Sequence, residues 1–341
     1  MNLFIKKYLL YGFQLTLISL AGHGSYAQAD YLQLQANGSF HYTLDAKGNS
    51  LPDFSLVGYA ETRRSIPVVR VERVVSPSPD DEKTLQAAID ELSAKPIGGE
   101  GFRGAILLKK GTYKIAGTIN IRRSGIVLRG EGIETKLIAT GKGQRTLVSI
   151  AGAGALKEIK NTRQRITSSF VPLGAKSFLV ANAAMYKPGD SIVVFRPGTQ
   201  KWITDLKMDQ IEKRDSNTKQ WTPREYDLHF ERVITKVAGN TIFIDNPVVM
   251  AMEEIYGGGE IYKYHYNGRI TNTGIEDLLL ESEFDGDKDE DHGWDAIKIN
   301  RVQNGWVRNV TSIYFGYSCV NLGPESRNIT VMNCKSLDAK S

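Results

Sequence analysis

Two neighbouring stretches decide the fold of this 341-residue chain: DDEKTLQAAIDEL at residues 80–92 and GGEGFRGAILLKKGTYKIAGTINIRRSGIVLRGEGIETKLIATG at residues 98–141. The first predicts a helix over residues 80–94, because an aspartate can cap it, acids fill its first turn and apolar side chains recur on one face. The second stretch and its continuation predict short strands at 105–108, 113–115, 118–121, 126–128, 137–139 and 147–150. Strands this short are stable when successive turns of the chain stack and bury a shared core.

These stretches resemble the opening of the pectate-lyase superfamily domain, which rhamnogalacturonase-like, polygalacturonase-like and phage tailspike proteins share. In that pattern a helix is followed by a strand similar to GG…LLKKGTY-I and a coil similar to SGIVLRGEG. The resemblance covers residues 80–150 and returns over 268–336. It implies an all-β fold, a right-handed parallel β-helix (a solenoid) with an N-terminal capping helix. One departure is the turn before the helix, which reads VSPSPDD at 75–81 where these families often carry Gly-Asp-Gly.

A repeat supports stacking in the last part of the chain. The segment VRNVTS at 307–312 is echoed by VMNCKS at 331–336, a spacing of 24 residues. Repeats of a few dozen residues are typical of stacked architectures. We therefore expect Asn309 and Asn333 to stack their side-chain amides at a turn.

The chain divides into five predicted segments. They are a signal peptide at 1–27, an N-terminal cap segment at 28–79, first β-helix coils at 80–155, an inserted small β-barrel-like domain at 156–267 and continuing coils at 268–341. In the insertion, 188–195 and 239–245 are strand-turn units, and 201–226 is predicted as a long loop. The final strand is followed by no capping segment, so we expect the chain to be the N-terminal portion of a longer protein.

The first residues predict export. Lys6 and Lys7 precede a mostly apolar run at 8–21, and small residues at Ser25 and Ala27 predict cleavage after Ala27, to a secreted or periplasmic protein. Cleavage lowers the formal net charge from +5 to +3, because the segment carries two lysines and no acid. That mild charge does not favour nucleic acid as a partner, and no second apolar run predicts a membrane span.

The densest functional signal is ESEFDGDKDEDHGWD at residues 281–295, where eight carboxylates stand against one lysine. Asp285, Asp287 and Asp289 alternate as ligands of a calcium loop do, and oxygen ligands suit Ca²⁺. The EF-hand pattern fails, however, because Glu290 stands where glycine is required and Ala296 where an acid belongs. Calcium is thus the predicted cofactor, and a solvated acidic loop is the alternative.

The residues after this loop are the predicted catalytic ones. On the strand at 296–301, alternation places Lys298 and Asn300 on the solvent face. We predict that His292, Lys298 and Arg301 act with the acids Asp291 and Asp295 along one groove, and that Trp294 and Asn300 bind substrate. His292 has an equal alternative as a loop histidine satisfied by its neighbours. For a lyase, the resemblance implies that a cation neutralises a uronate carboxylate and a lysine or arginine removes the C5 proton. For a glycosidase, Asp291 and Asp295 would flank the bond, although the polygalacturonase signatures are absent.

The sequence therefore favours an exported enzyme that cleaves an acidic, uronate-containing polysaccharide by β-elimination. The alternatives are a glycoside hydrolase of the same fold and a non-catalytic β-helix protein that binds glycans or scaffolds a surface. Cys319 and Cys334 can pair in an oxidising compartment, or pack as small apolar side chains.

Overall fold

The computed structural model describes residues 31–341, so the predicted signal peptide lies outside the described residues. The described chain is mostly β-structure, with both parallel and antiparallel sheets and few helices. Nowhere in residues 31–341 does a helix have the length and apolar character that crossing a membrane requires.

The chain begins with a hairpin and then reaches the predicted helix. The elements are β1 (Leu32–Leu34), β2 (Phe40–Tyr42), a short 3₁₀ turn (Tyr59–Thr62), β3 (Val71–Val75) and α1 (Asp81–Ala94). The helix is confirmed, and Asp80 caps it by accepting a hydrogen bond from the Lys83 backbone N–H at 3.2 Å. Leu85, Ile89 and Leu92 of α1 are buried in the main core, because the apolar face of the helix packs on the first parallel strands.

Six short strands follow and form two stacked layers. Layer 1 holds β4 (Gly104–Leu108), β5 (Gly111–Ile115) and β6 (Ile119–Ile121), and layer 2 holds β7 (Ile126–Arg129), β8 (Thr135–Ala139) and β9 (Arg145–Ala151). Each strand of layer 1 pairs in parallel with its counterpart in layer 2. The six predicted strands are confirmed: five are one to three residues longer than predicted, and β6 is one residue shorter.

An insertion then interrupts the layers, and all its strand pairs are antiparallel. Its elements are β10 (Leu156–Glu158), β11 (Gln164–Arg165), β12 (Phe170–Val171), β13 (Ser177–Leu179), β14 (Ser191–Arg196), α2 (Gln200–Asp205), β15 (Leu228–Ala238), β16 (Thr241–Ile244), β17 (Met252–Glu253), a 3₁₀ turn (Glu254–Tyr256) and β18 (Glu260–Tyr266). It has its own core, which includes Ile192, Val194 and Ile242. The prediction of a loop from residue 201 was wrong at its start, because Thr199 caps α2 there.

The layers resume after the insertion. Layer 3 holds β19 (Ile270–Ser282) and β20 (Gly293–Asn300), layer 4 holds β21 (Val302–Ile313) and β22 (Ser318–Leu322), and layer 5 holds β23 (Arg327–Met332) and β24 (Lys335–Leu337). β19 pairs in parallel with β7 and β8 of layer 2, so the stack continues across the insertion. The repeat is confirmed, since Arg308 pairs with Met332, and the Asn333 amide donates to Asn309 at 3.2 Å.

The chain leaves and re-enters the stack at two glycines. The Ala153 backbone N–H donates to the Gly268 carbonyl at 2.8 Å. A Cβ on Gly152 would lie 2.4 Å from the Arg301 carbonyl oxygen, and Gly268 has a φ of +99°. Only glycine permits this close crossing, which holds the insertion against the stack.

Residues 56–71 form a strap across the outer face of the first sheet, which is built from β3, β4, β7, β19, β21 and β23. At one end of the strap, the Leu56 carbonyl accepts a hydrogen bond from the Asn328 amide of layer 5. At the other end, Val71 pairs with Ala105 of layer 1. Part of the predicted cap segment therefore covers a side of the stack. Apolar contacts hold the strap there, because Tyr59 packs edge-on against the fully buried Trp306.

Candidate functional site

The predicted calcium ligands lie apart in an exposed loop. The side chains of Asp285 and Asp287 are 87% and 86% exposed, with Lys142 3.6 Å from Asp285 and Lys340 2.8 Å from Asp287. Asp289 instead accepts two backbone N–H groups of its own loop, at 2.7 and 2.8 Å, and these lower its pKa. Within residues 31–341, no three carboxylate, histidine or cysteine side chains converge on one cation position. The three carboxylates contact lysines and backbone N–H groups and do not converge on one position.

His292 is 1% exposed and both of its ring nitrogens are engaged. Nε2 lies 2.8 Å from the Lys340 carbonyl, which only accepts, so Nε2 carries a proton and donates it there. Nδ1 lies 3.0 Å from the Ser282 hydroxyl. Asp291 accepts the Gly143 backbone N–H at 3.0 Å. Both residues anchor the loop, and His292 also lines a small cavity of about 240 Å³ beside Lys142 and Asp289.

Asp295 and Lys298 are brought together on a four-stranded parallel sheet built from β6, β9, β20 and β22, which we call the third sheet of the stack. The first is the sheet under the strap; β8 and β24 pair with the ends of β19 and β21 between the two, and β5 pairs with β8. Asp295 is 5% exposed and accepts hydrogen bonds from Ser318 at 2.6 Å and from the Asn321 amide at 3.1 Å. Its other oxygen lies 3.8 Å from the Lys298 ammonium, which is 39% exposed. Two neighbours from layer 4 thus fix the carboxylate beside an accessible cation.

The remaining predicted residues divide between two places. Trp294 stays near Asp295 in the chain, and its ring is parallel to that of Tyr317 with centroids 6.3 Å apart. Asn300 turns its Oδ1 into a buried position without a partner among the described residues. Arg301 binds Glu325 at 3.1 Å. The structure therefore brings Asp295 and Lys298 together, pairs Trp294 with Tyr317, and pairs Arg301 with Glu325.

A long groove lies where the insertion meets layers 4 and 5, and the sequence did not predict it. It consists of two adjoining cavities of about 350 and 810 Å³ that share Glu231, Arg232, Val249, Ser326 and Arg327. Residues from three distant parts of the chain form its walls: the segment before the strap, β15 and its neighbours, and the start of β23.

Glu231 is the centre of the groove's charge network. Arg269 donates two hydrogen bonds to its carboxylate at 2.6 and 2.7 Å, and the Tyr264 hydroxyl donates a third at 2.6 Å. Burial opposes ionisation of Glu231, but the hydrogen bonds from Arg269 and Tyr264 outweigh it and lower its pKa. Arg327 lies 3.8 Å from Glu231 and 3.9 Å from Asp245, so one guanidinium links two carboxylates.

Apolar side chains line the same groove and are open to solvent. The exposed ones are Phe54 (57%), Val57 (43%), Val249 (40%) and Leu322 (51%). At the other end, the Arg163 guanidinium stacks 4.2 Å from the Tyr262 ring centroid. Exposed apolar groups gathered in one cleft are a mark of ligand binding.

One feature of the sequence, a run of alternating tyrosines, lies beside this groove. Tyr262, Tyr264 and Tyr266 alternate along β18, and aromatic faces of this kind can stack on sugars. The structure uses two of them differently: Tyr264 donates to Glu231 and Tyr266 to Glu325, both at 2.6 Å. Burial, followed by the neighbouring carboxylate, raises the pKa of each hydroxyl to about 12.

No family model and no curated protein matches this chain in sequence. Among solved structures, it is similar to the Gp54 tailspike of Acinetobacter baumannii bacteriophage AP22, solved in complex with a capsular saccharide, with 15% identity over 72% of this chain and 34% of the tailspike (TM-score 0.37). It is also similar to the gp49 tailspike of Pseudomonas phage LKA1, with 15% identity over 74% of this chain and 43% of the tailspike (TM-score 0.35). A GH82 iota-carrageenase from A. fortis matches at 13% identity over 80% of this chain and 40% of the enzyme (TM-score 0.29). The chain spans less than half the length of each.

Proposed function

We propose that this chain is an exported carbohydrate-active protein that holds a saccharide chain in the groove between the insertion and layers 4 and 5. The observation that carries the proposal is the lining of the groove, where exposed apolar side chains such as Phe54 and Leu322 stand beside the Glu231–Arg327 network. A sugar ring has apolar C–H faces and a rim of hydroxyls. A lining of apolar faces and fixed charged groups binds both. Export rests on the signal peptide that residues 1–27 predict.

The pairing of the groove carboxylates with arginines favours binding over hydrolysis. A glycosidase acid must keep a proton near neutral pH, which requires a raised pKa. The pKa of Glu231 is lowered, Glu158 is paired with Arg163, and Glu325 is paired with Arg301. These carboxylates are therefore suited to accept hydrogen bonds from hydroxyl groups.

We also propose that the layers form a right-handed parallel β-helix, with α1 as its cap and the insertion spanning 156–267. The support is the strand register: Gly104 pairs with Ile126, and Gln303 pairs with Arg327, each one layer further along. Crossovers between parallel strands of one sheet are right-handed in almost all proteins.

A second candidate function is cleavage of a uronate polysaccharide by β-elimination on the third sheet. The observation that favours it is the Lys298 ammonium, accessible and 3.8 Å from the fixed Asp295 carboxylate. In this proposal Lys298 first gives a proton to solvent, and its neutral amine then takes the C5 proton. The C4–O bond breaks as the C4–C5 double bond forms, water protonates the leaving oxygen, and the Trp294–Tyr317 pair stacks on the sugar. No step is assigned to calcium, since the acidic loop does not fit it.

Binding is tested with affinity electrophoresis of the mature chain against a panel of neutral and acidic polysaccharides. Phe54→Ala and Leu322→Ala remove exposed groove faces, and we expect roughly 5–10-fold weaker binding because each contact is worth about 1 kcal/mol. Phe40→Ala and Ile133→Ala are matched controls, being 56% and 73% exposed away from the groove. Equal affinity in groove and control variants would overturn the groove assignment.

Cleavage is tested on the same panel, with calcium and with a chelator. Unsaturated uronates absorb in the ultraviolet, so a rise in absorbance that Lys298→Gln abolishes supports β-elimination. The control is Lys114→Gln, an exposed lysine on β5. Reducing ends without absorbance indicate hydrolysis, and the absence of both signals alongside binding leaves a glycan-binding protein.

A further inference from the structure

A second cleft, of about 500 Å³, lies where layers 1 and 2 meet the base of the insertion. Its lining includes the exposed side chain of Ile97 and four arginines: Arg103, Arg122, Arg123 and Arg269. Among residues 31–341, no acidic side chain lines it. The floor is formed by backbone around Gly152 and Gly268, where the insertion begins and ends. We name it the arginine cleft.

Three of these arginines have no acidic partner in the described part of the chain. Within residues 31–341, no carboxylate oxygen comes within 4.0 Å of the guanidinium nitrogens of Arg103, Arg122 or Arg123, whereas Arg269 is paired with Glu231. Arg122 and Arg123 are exposed. Unneutralised guanidinium groups gathered in one cleft repel one another, and an anion between them relieves that repulsion.

Arg103 is held rigidly in the wall. Its Nε donates to the Lys95 carbonyl at 2.8 Å, and its Nη1 donates to the Ser124 carbonyl. Arg103 and Arg123 line the same cleft, and burial, followed by the charge of Arg123, lowers the pKa of Arg103. A guanidinium fixed in this way loses little side-chain entropy when an oxyanion binds.

We infer that the arginine cleft binds an anionic group of the saccharide chain, a carboxylate or a sulfate ester, and so selects acidic polysaccharides. Planar guanidinium forks match the paired oxygens of both groups. Arg269 joins this cleft to the groove, because it lines the cleft and its guanidinium holds Glu231. The inference rests on the proposed function and adds the chemical class of the ligand to it.

The test compares the wild type with the double variant Arg122→Gln, Arg123→Gln. The matched control is Arg63→Gln, Arg64→Gln, an adjacent exposed arginine pair that does not line the cleft. The probes are dextran as a neutral glycan, polygalacturonate oligomers as carboxylates, dextran sulfate as a sulfate ester, and inorganic sulfate followed by thermal unfolding. We expect the cleft variant to bind the anionic glycans at least about ten-fold more weakly than the control variant does, with dextran binding unchanged. Inorganic sulfate should stabilise the wild type and the control, but not the cleft variant.

Each outcome separates the two proposals. Anionic glycans that bind the cleft variant and the control equally well overturn the arginine cleft and leave the groove intact. Sulfate stabilisation that only the cleft variant loses, with no glycan bound by any protein, supports the anion site and overturns the glycan function. A stronger loss for polygalacturonate than for dextran sulfate assigns the group as a carboxylate, and the reverse assigns a sulfate.

Discussion

Replacing Glu231 by glutamine should destabilise the junction between the insertion and the stack. The variant keeps the shape of the side chain but removes the charge that holds Arg269, whose side chain is only 6% exposed. Removing one partner of a buried ion pair costs about 3–5 kcal/mol, because the other charge stays buried and uncompensated. Glu231 is 16% exposed, which places the expected loss near the lower end, about 3 kcal/mol.

The assay is urea unfolding followed by tryptophan fluorescence, together with a thermal melt. A loss of about 3 kcal/mol corresponds to a melting temperature lower by roughly 4–6 °C. The control is Glu254→Gln, whose partner Arg165 lies 3.3 Å away with both side chains more than 60% exposed. Such a surface pair contributes less than about 1 kcal/mol. Equal losses in the two variants would refute the reasoning.

A double variant sharpens the test. Glu231→Gln combined with Arg269→Gln removes both charges, so no uncompensated ion stays buried. We expect the double variant to be more stable than Glu231→Gln alone. If the two losses simply add, the ion pair is not what makes Glu231 important.

The destabilisation by Glu231→Gln should depend on pH. The pKa of Glu231 is lower in the folded chain than its unfolded value of about 4.3, so its ionised form stabilises the fold at every pH above that value. This contribution is lost as pH falls through the lowered folded pKa. The difference in the free energy of unfolding between wild type and Glu231→Gln should therefore be largest at neutral pH and shrink below about pH 4. A stability difference of the same size at every pH of an acid titration would contradict this prediction.

Two further predictions concern the layers. Gly274→Ala should destabilise the stack by at least about 1–3 kcal/mol, because its Cβ would lie 2.2 Å from the buried Trp306 ring, whereas Gly99→Ala has open space; thermal melts of both variants measure the difference. Cys319 lies on β22 of layer 4 and Cys334 between β23 and β24 of layer 5, and both free thiols pack against the main core. A mild added oxidant should therefore join them in a disulfide, with the loss of both thiol hydrogens. Mass spectrometry that finds two separate thiols after oxidation would exclude this geometry.

The elements that the sequence specified are those with local causes. The helix α1 begins where Asp80 caps its own backbone, and its apolar positions recur at helical spacing. The strands of layers 1 and 2 are short apolar runs that turns interrupt within a few residues. The 24-residue spacing of Asn309 and Asn333 is also a local repeat, and both residues have positive φ at the same point of their layers. Such signals need no knowledge of distant residues.

Tertiary structure alone decided the groove and the arginine cleft. Glu231 comes from the insertion, Arg327 from layer 5 and Phe54 from the segment before the strap, and no pattern in the sequence joins them. His292 shows the converse, since its residue type suits catalysis but Ser282 and Lys340 bury it and use both nitrogens. Charge pairing and burial depend on residues far apart in the chain, because stacking places the side chains of neighbouring layers next to each other.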